Sequence, residues 1–154
     1  MPEDGAAACP NEKCPGGIQM TIIELNEEQT EDIEARLGAF DESHISYKMD
    51  GCIRLGMVED GRLIAGLDAC MTAFRILYVS TVFVDEEFRG KGIGTRLMRE
   101  MERRAAAMGA DTIRLDTFDW QGKGFYEALG YTAVGHYDHA GDGYSEYFFL
   151  KRIG

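Results

Sequence analysis

The stretch that decides the fold runs from Ile76 to Thr95: ILYVSTVFV (76–84) followed at once by DEEFRGKGIGT (85–95). The first part is rich in β-branched and aromatic residues, so it reads as a buried central strand. Glycines at 90, 92 and 94 follow, and a helix then runs from about Gly92 to Met108, with Ile93, Leu97, Met101 and Ala105 recurring every fourth residue. A strand that ends in glycines and opens into a helix exposes the helix's first amides, which have no partner within the helix and carry the positive end of its dipole. Such a turn suits phosphate, and Arg89 and Lys91 add charge beside it.

Two familiar phosphate patterns do not fit. The P-loop requires Gly-Lys-Ser/Thr, but Lys91 stands between glycines. The dinucleotide pattern requires glycine where Thr95 stands, and a meander precedes this strand instead of a parallel strand with its crossover helix. A plain tight strand-to-helix turn remains the alternative.

Upstream, Ile53 to Glu59 and Arg62 to Ala73 flank Asp60-Gly61, a strong hairpin signal. Before them, Met20 to Leu25 reads as a short strand. Asn26 is placed to cap a helix with Ile33, Leu37 and Phe40 as its apolar stripe, and residues 41–51 carry polar turn signals. Residues 1–19 read as a flexible N-terminal extension, leaving 20–154 as a single domain. Downstream, Gly109 closes the long helix, Thr112 to Thr117 is a strand, and a short helix spans about Gly122 to Leu129 before Gly130. Tyr131 to Tyr137 and Tyr144 to Lys151 complete the order as strands. The class is α/β or α+β with a mixed sheet.

Arg89-x-x-Gly92-x-Gly94 resembles the acyl-CoA signature R/Q-x-x-G-x-G/A of the GNAT N-acetyltransferase superfamily. FYEALGY (125–131) is similar to that family's second recurring segment, and the order of elements agrees from about Met20 to the C-terminus. The resemblance implies a mixed, mostly antiparallel sheet with a splayed strand pair, flanked by helices. It implies acetyl-CoA as cosubstrate, its pyrophosphate on the amides of Arg89, Gly90, Lys91, Gly92, Ile93, Gly94 and Thr95. Its pantetheine arm would lie along Val82, Phe83 and Val84. Tyr126 matches the family's tyrosine that protonates the CoA sulfur, with Phe125 beside it expected as the core residue. Many members carry Asn where Asp119 stands; a carboxylate bonds CoA less readily, and Gln121 is expected to substitute for it. A homodimer is common in families of this kind. A domain of the same fold that binds or senses acyl-CoA without chemistry is the alternative function.

Acyl transfer to an amine needs a held carbonyl, a neutral amine, an oxyanion donor and a proton for the leaving thiolate. A backbone amide near Val82 to Val84 is the expected oxyanion donor. An alkylammonium has a pKa near 10, so its proton must be taken. Asp116, Asp119, Asp68, Tyr47 and His136 are the candidate acceptors of it, none singled out.

Charge refines the reading. The 154 residues carry 16 basic and 27 acidic side chains, a net charge of -11. Such a balance argues against nucleic-acid and anionic-membrane partners. Yet Arg89, Lys91, Arg96, Arg99, Arg103 and Arg104 crowd the glycine turn and its helix; the stretch suits an anionic cofactor, while Arg99, Arg103 and Arg104 read as a solvated helix face. Carboxylates gather instead between Thr21 and Asp50, and Asp138, Asp142 and Glu146 lie near Tyr137, Tyr144 and Tyr147. Acidic and aromatic groups together suit a cationic amine acceptor. No apolar run approaches the roughly 20 residues of a spanning helix, and no signal peptide is evident, so a cytoplasmic protein with reduced cysteines is expected. Cys52 and Cys70 read as small core residues. Cys9 and Cys14 could form half a zinc site, but no second ligand pair follows at metal spacing, so no metal is expected.

Overall fold

The computed structural model describes residues 21–45, 49–72 and 74–154. Cys9, Cys14 and Tyr47 therefore lie outside the described residues, as does the proposed extension. The chain divides into two compact units, residues 1–43 and 44–154.

The first unit holds helix α1, Glu27–Glu42. Asn26 caps it as expected: its side chain accepts from the Gln29 amide at 2.8 Å, and Gln29 Oε1 accepts from the Asn26 amide at 3.0 Å. Residues 21–26 form no strand, contrary to the expectation for Met20 to Leu25. Ile22, Ile23 and Leu25 are exposed, and none of these residues joins a ladder, so β propensity has no neighbouring strand to act on.

The second unit is built on a six-stranded sheet among the described residues. Its strands are β1 (Cys52–Glu59), β2 (Arg62–Met71), β3 (Ile76–Val84), β4 (Thr112–Phe118), β5 (Thr132–His139) and β6 (Tyr144–Arg152), arranged in the order β1-β2-β3-β4-β6-β5. Only β3 and β4 run parallel. Helix α2 (Ile93–Ala107) connects them as a crossover, and the short α3 (Lys123–Ala128) links β4 to β5. At the β1–β2 turn, Asp60 and Gly61 both have positive φ, 48° and 78°, as a tight hairpin between right-twisted strands requires.

One face of the sheet carries the core. Leu67, Ala69, Leu77, Val79, Ile113, Leu115 and Phe149 pack there against Leu97, Met98, Met101 and Ala105 of α2. At that spacing the four helix residues share one stripe. Glu102 on α2 ties the helix to the far strands. It accepts from Lys151 Nζ at 2.8 Å and from the Tyr131 hydroxyl at 3.1 Å, while Lys151 Nζ also donates to the Leu129 carbonyl at 2.8 Å.

The cysteine expectation is overturned. Cys52 and Cys70 are not reduced core residues: they face each other across β1 and β2 and form a disulfide, and Cys52 is exposed. A ladder counted back from the hairpin turn would set Cys52 against Ala69. The register shift at Met57/Val58 moves it by one residue and brings Cys70 opposite.

Candidate functional site

The β3–β4 ladder stops early. Its rungs run from Ile76–Thr112 to Val79–Leu115, yet β3 continues to Val84 and β4 to Phe118. Each strand holds its outer neighbour over that length: β3 stays paired to β2 as far as Val84–Ala65, and β4 to β6 as far as Phe118–Glu146. The sheet is therefore parted between these two strands alone. The parting begins beside a bulge at Ser80, which falls between the Asp68–Thr81 and Ala69–Val79 pairs and donates its hydroxyl to the Asp68 carbonyl at 3.1 Å. From Ser80 onward, the edge of β3 that faces β4 has no ladder. This is the splayed pair the sequence led one to expect, and it leaves Val82, Phe83 and Val84 beside the gap.

The glycine turn follows directly. A single 3-10 turn, Glu86–Phe88, which the sequence did not announce, carries the chain out of β3. Arg62 anchors this turn from β2, reaching Asp85 and Glu87 at 2.5 and 2.8 Å. Gly90 and Gly92 have φ of 73° and 78°, a left-handed conformation that favours glycine, and a Cβ at either would meet nothing within 4 Å. Among the described residues, no hydrogen bond uses the amides of residues 90–95, and the first amide of the series to pair is Arg96, to the Gly92 carbonyl at 3.0 Å. Gly90, Lys91, Gly92, Ile93, Gly94 and Thr95 thus form an open row of donors at a helix N-terminus, a cradle that fits an anionic diphosphate. Arg89 does not point into the open. Its Nε donates to the Val84 carbonyl at 2.9 Å and its guanidinium lies over the Phe83 ring, so it braces the turn against the strand.

Tyr126 lies on α3, next to the residue that packs on the turn. Expectation and structure differ here: Tyr126 is the core member, only 8% exposed, while Phe125 is half-buried and packs on Gly94. The Tyr126 ring sits among Phe125, Tyr131 and Phe149. Its hydroxyl makes no hydrogen bond among the described residues. No buried side-chain N or O atom among them lacks a partner, so that hydroxyl must reach open space. Burial, with the negative charge of Asp116 second, pushes the Tyr126 hydroxyl up to about 12, so it stays protonated at neutral pH.

Residues 20–131 match the family model described as the acetyltransferase (GNAT) family. The chain belongs to this family. It is 30% identical to the blasticidin-S acetyltransferase of Streptomyces morookaense over 96 residues, 62% of this chain and 70% of that one. A crystal structure of an acetyltransferase from Bacillus cereus ATCC 14579 superposes with a TM-score of 0.80 at 27% identity, covering 86% of this chain and 97% of the other. An aminoglycoside 6'-N-acetyltransferase complexed with coenzyme A shares the fold, with a TM-score of 0.59 at 20% identity over 84% of this chain and 93% of that one. This chain is accordingly a GNAT acetyltransferase.

Of the remaining residues singled out in this GNAT chain, Asp119 and Gln121 both serve the β4–α3 turn. Asp119 Oδ2 accepts from the Ser145 amide at 3.3 Å, and Gln121 Oε1 accepts from the Phe118 amide at 3.0 Å. The proton-acceptor candidates scatter. Asp68 pairs with Arg54 at 3.1 Å, and His136 stacks on Tyr147. Asp116 accepts from the Tyr78 hydroxyl at 2.8 Å. The late loop's acids bond within their own hairpin: Asp138 takes the Ser145 hydroxyl, Asp142 pairs with His139 and Glu146 takes the Tyr137 hydroxyl. Of the cations on α2, Arg103 and Arg104 are engaged by Glu100.

Sequence reading missed an aromatic group at the end of β4. Trp120 stacks on Phe118 at 4.8 Å, Tyr144 sets its edge against both, and His139 stacks on Tyr144. The F-x-W spacing at 118–120 was the available signal. No helix among the described residues is long and apolar enough to cross a membrane.

Proposed function

We propose that this acetyltransferase moves an acetyl group from acetyl-CoA to the primary amine of a small cationic molecule, by direct attack while both are bound. The reading takes residues 20–154 as one acetyltransferase domain. The observation that carries it is the parting of β3 and β4 beside an open row of amides. A thioester arm needs free backbone donors along its length, and its diphosphate needs the helix N-terminus. Acetyl-CoA supplies the activated acetyl group. The amides of Gly90 through Thr95 bind its diphosphate, and Arg89 orients that turn. The free edge at Val82, Phe83 and Val84 holds the arm and donates to the carbonyl. The Tyr126 hydroxyl hydrogen-bonds the departing sulfur. A thiol has a pKa of roughly 8.5, so a weak donor suffices there. Exposed aromatic rings and carboxylates on β4, β5 and β6 favour a cationic acceptor over an anionic one.

A thermal-shift titration with acetyl-CoA, followed by a thiol-release screen over polyamines, aminoglycosides, amino acids and peptides, tests this. Stabilisation by acetyl-CoA and release of thiol with a cationic amine are expected. Absence of stabilisation by any acyl-CoA removes the proposal. One observation favours a second reading, an acyl-CoA sensor: the Tyr126 ring is packed in the core among Phe125, Tyr131 and Phe149. Tight acyl-CoA binding without turnover on any amine would select it.

A further inference from the structure

The parting of the sheet joins its two faces. Along β4, burial alternates: Ile113, Leu115 and Thr117 are buried toward α2 and α3, while Arg114 and Asp116 are exposed on the opposite face. Tyr126 lies on the α3 side, where a Cβ at Gly122 would sit 3.1 Å from its ring and 3.8 Å from Thr117 Oγ1. Asp116 is the first residue of β4 beyond the last rung, Val79–Leu115. It stands at the mouth of the gap, on the face away from Tyr126.

Three further features mark this carboxylate out. Tyr78, on β3 and just before that last rung, crosses to Asp116 Oδ1 at 2.8 Å and fixes the carboxylate from the neighbouring strand. Asp116 Oδ2 makes no hydrogen bond, and Asp116 joins no ion pair, among the described residues, whereas Asp68 is matched by Arg54 and Glu102 by Lys151. The nearby cation, Arg114, is set over the Tyr78 ring at 4.8 Å. The negative charge of Asp116 also acts on Tyr126 across the sheet.

We propose that Asp116, aimed by the Tyr78 hydroxyl, binds the nitrogen of the acceptor amine at the mouth of the gap between β3 and β4. The assignment rests on the acetyltransferase reading above and deepens it. Asp116 touches the acceptor and Tyr78 is a positioning residue. A fixed carboxylate with one free oxygen favours an ammonium or amine over a hydroxyl or an anion, and holds that nitrogen facing the gap that the acetyl group enters from the other side.

The test uses the full chain saturated with CoA. Calorimetry measures 1,4-diaminobutane as the cationic probe and semicarbazide as the neutral one. Asp116→Asn is expected to weaken diaminobutane about tenfold or more and semicarbazide less than about twofold, because the charge is lost and the shape is kept. Tyr78→Phe is expected to weaken diaminobutane about three- to tenfold, since the carboxylate stays but is no longer aimed. In turnover, both variants raise the amine KM more than they lower kcat and leave the acetyl-CoA KM unchanged. Equal weakening of both probes, or no change in either, overturns the proposal. So does a wild-type chain that binds CoA but no cationic amine, and that result leaves the cofactor reading standing. Failure to bind CoA at all removes both.

Discussion

Gly94 and Phe125 meet where α2 begins: a Cβ built on Gly94 would lie 3.1 Å from Phe125 Cζ, with Val84 Cγ2 at 3.6 Å. The amide row is thereby seated directly on α3, and the third glycine of the turn serves packing instead of backbone freedom. Gly94→Ala is expected to destabilise the fold by about 1 kcal/mol, because the half-buried Phe125 must shift by a few tenths of an ångström. It should weaken acetyl-CoA more than its stability loss explains, and Phe125→Leu in the same chain should restore part of both. Thermal melts and acetyl-CoA titration of the two variants check this.

Tyr126 gives a prediction with a definite sign. Its folded value of about 12 lies above the ordinary 10. Turnover should therefore rise with pH as the amine loses its proton and show no descending limb from Tyr126 below about pH 10. Stability runs the other way: the folded state holds this proton more tightly, so it loses stability as pH climbs from about 10 to 12. Tyr126→Phe should lower kcat about ten- to a hundredfold, leave acetyl-CoA affinity nearly unchanged and soften the alkaline loss of stability.

Glu102 and Lys151 offer a packing test. Both are largely buried, and the pair joins α2 to β6. Lys151→Met alone should cost about 2–4 kcal/mol, because it strands a buried carboxylate. Lys151→Met with Glu102→Leu should recover most of that loss. Denaturant unfolding of the three proteins decides it.

In the middle of α2, hydrogen bonds from Arg103 and Arg104 hold the half-buried Glu100 carboxyl at about 2. A depressed carboxyl contributes stability above its unfolded value of about 4.5 and loses it as pH falls toward 2. Glu100→Gln should therefore flatten the melting-temperature profile between those limits and leave the value at pH 7 only slightly lower.

Local chemistry explains which parts were legible beforehand. The strand at 76–84, the Asp60-Gly61 hairpin, the Asn26 cap and the Arg89–Gly94 signature are short-range features, and each was found where the pattern put it. The misses were non-local. Cys52 meets Cys70 only because a bulge shifts the ladder by one residue. Tyr126 and Phe125 exchange the expected burial because the α3 turn is fixed by the Gly94 contact, which no window around residue 125 contains. The segment at 21–26 had strand composition but no neighbouring strand. Within the candidate site, the glycine turn could be read directly, whereas the Tyr78–Asp116 contact joins residues 38 positions apart and needs the sheet order.

The bracing of the glycine turn has a further consequence. Gly90 and Gly92 hold left-handed angles, Arg89 is bonded to the Val84 carbonyl and Arg62 grips Asp85 and Glu87. Each of these ties is made within the chain, so the shape of the turn is set by the protein's own contacts. A ligand that meets a rigid receptor gives up mainly its own freedom. Capture at this turn should thus be fast and little dependent on loop motion, which leaves discrimination among donors to the chain beyond it.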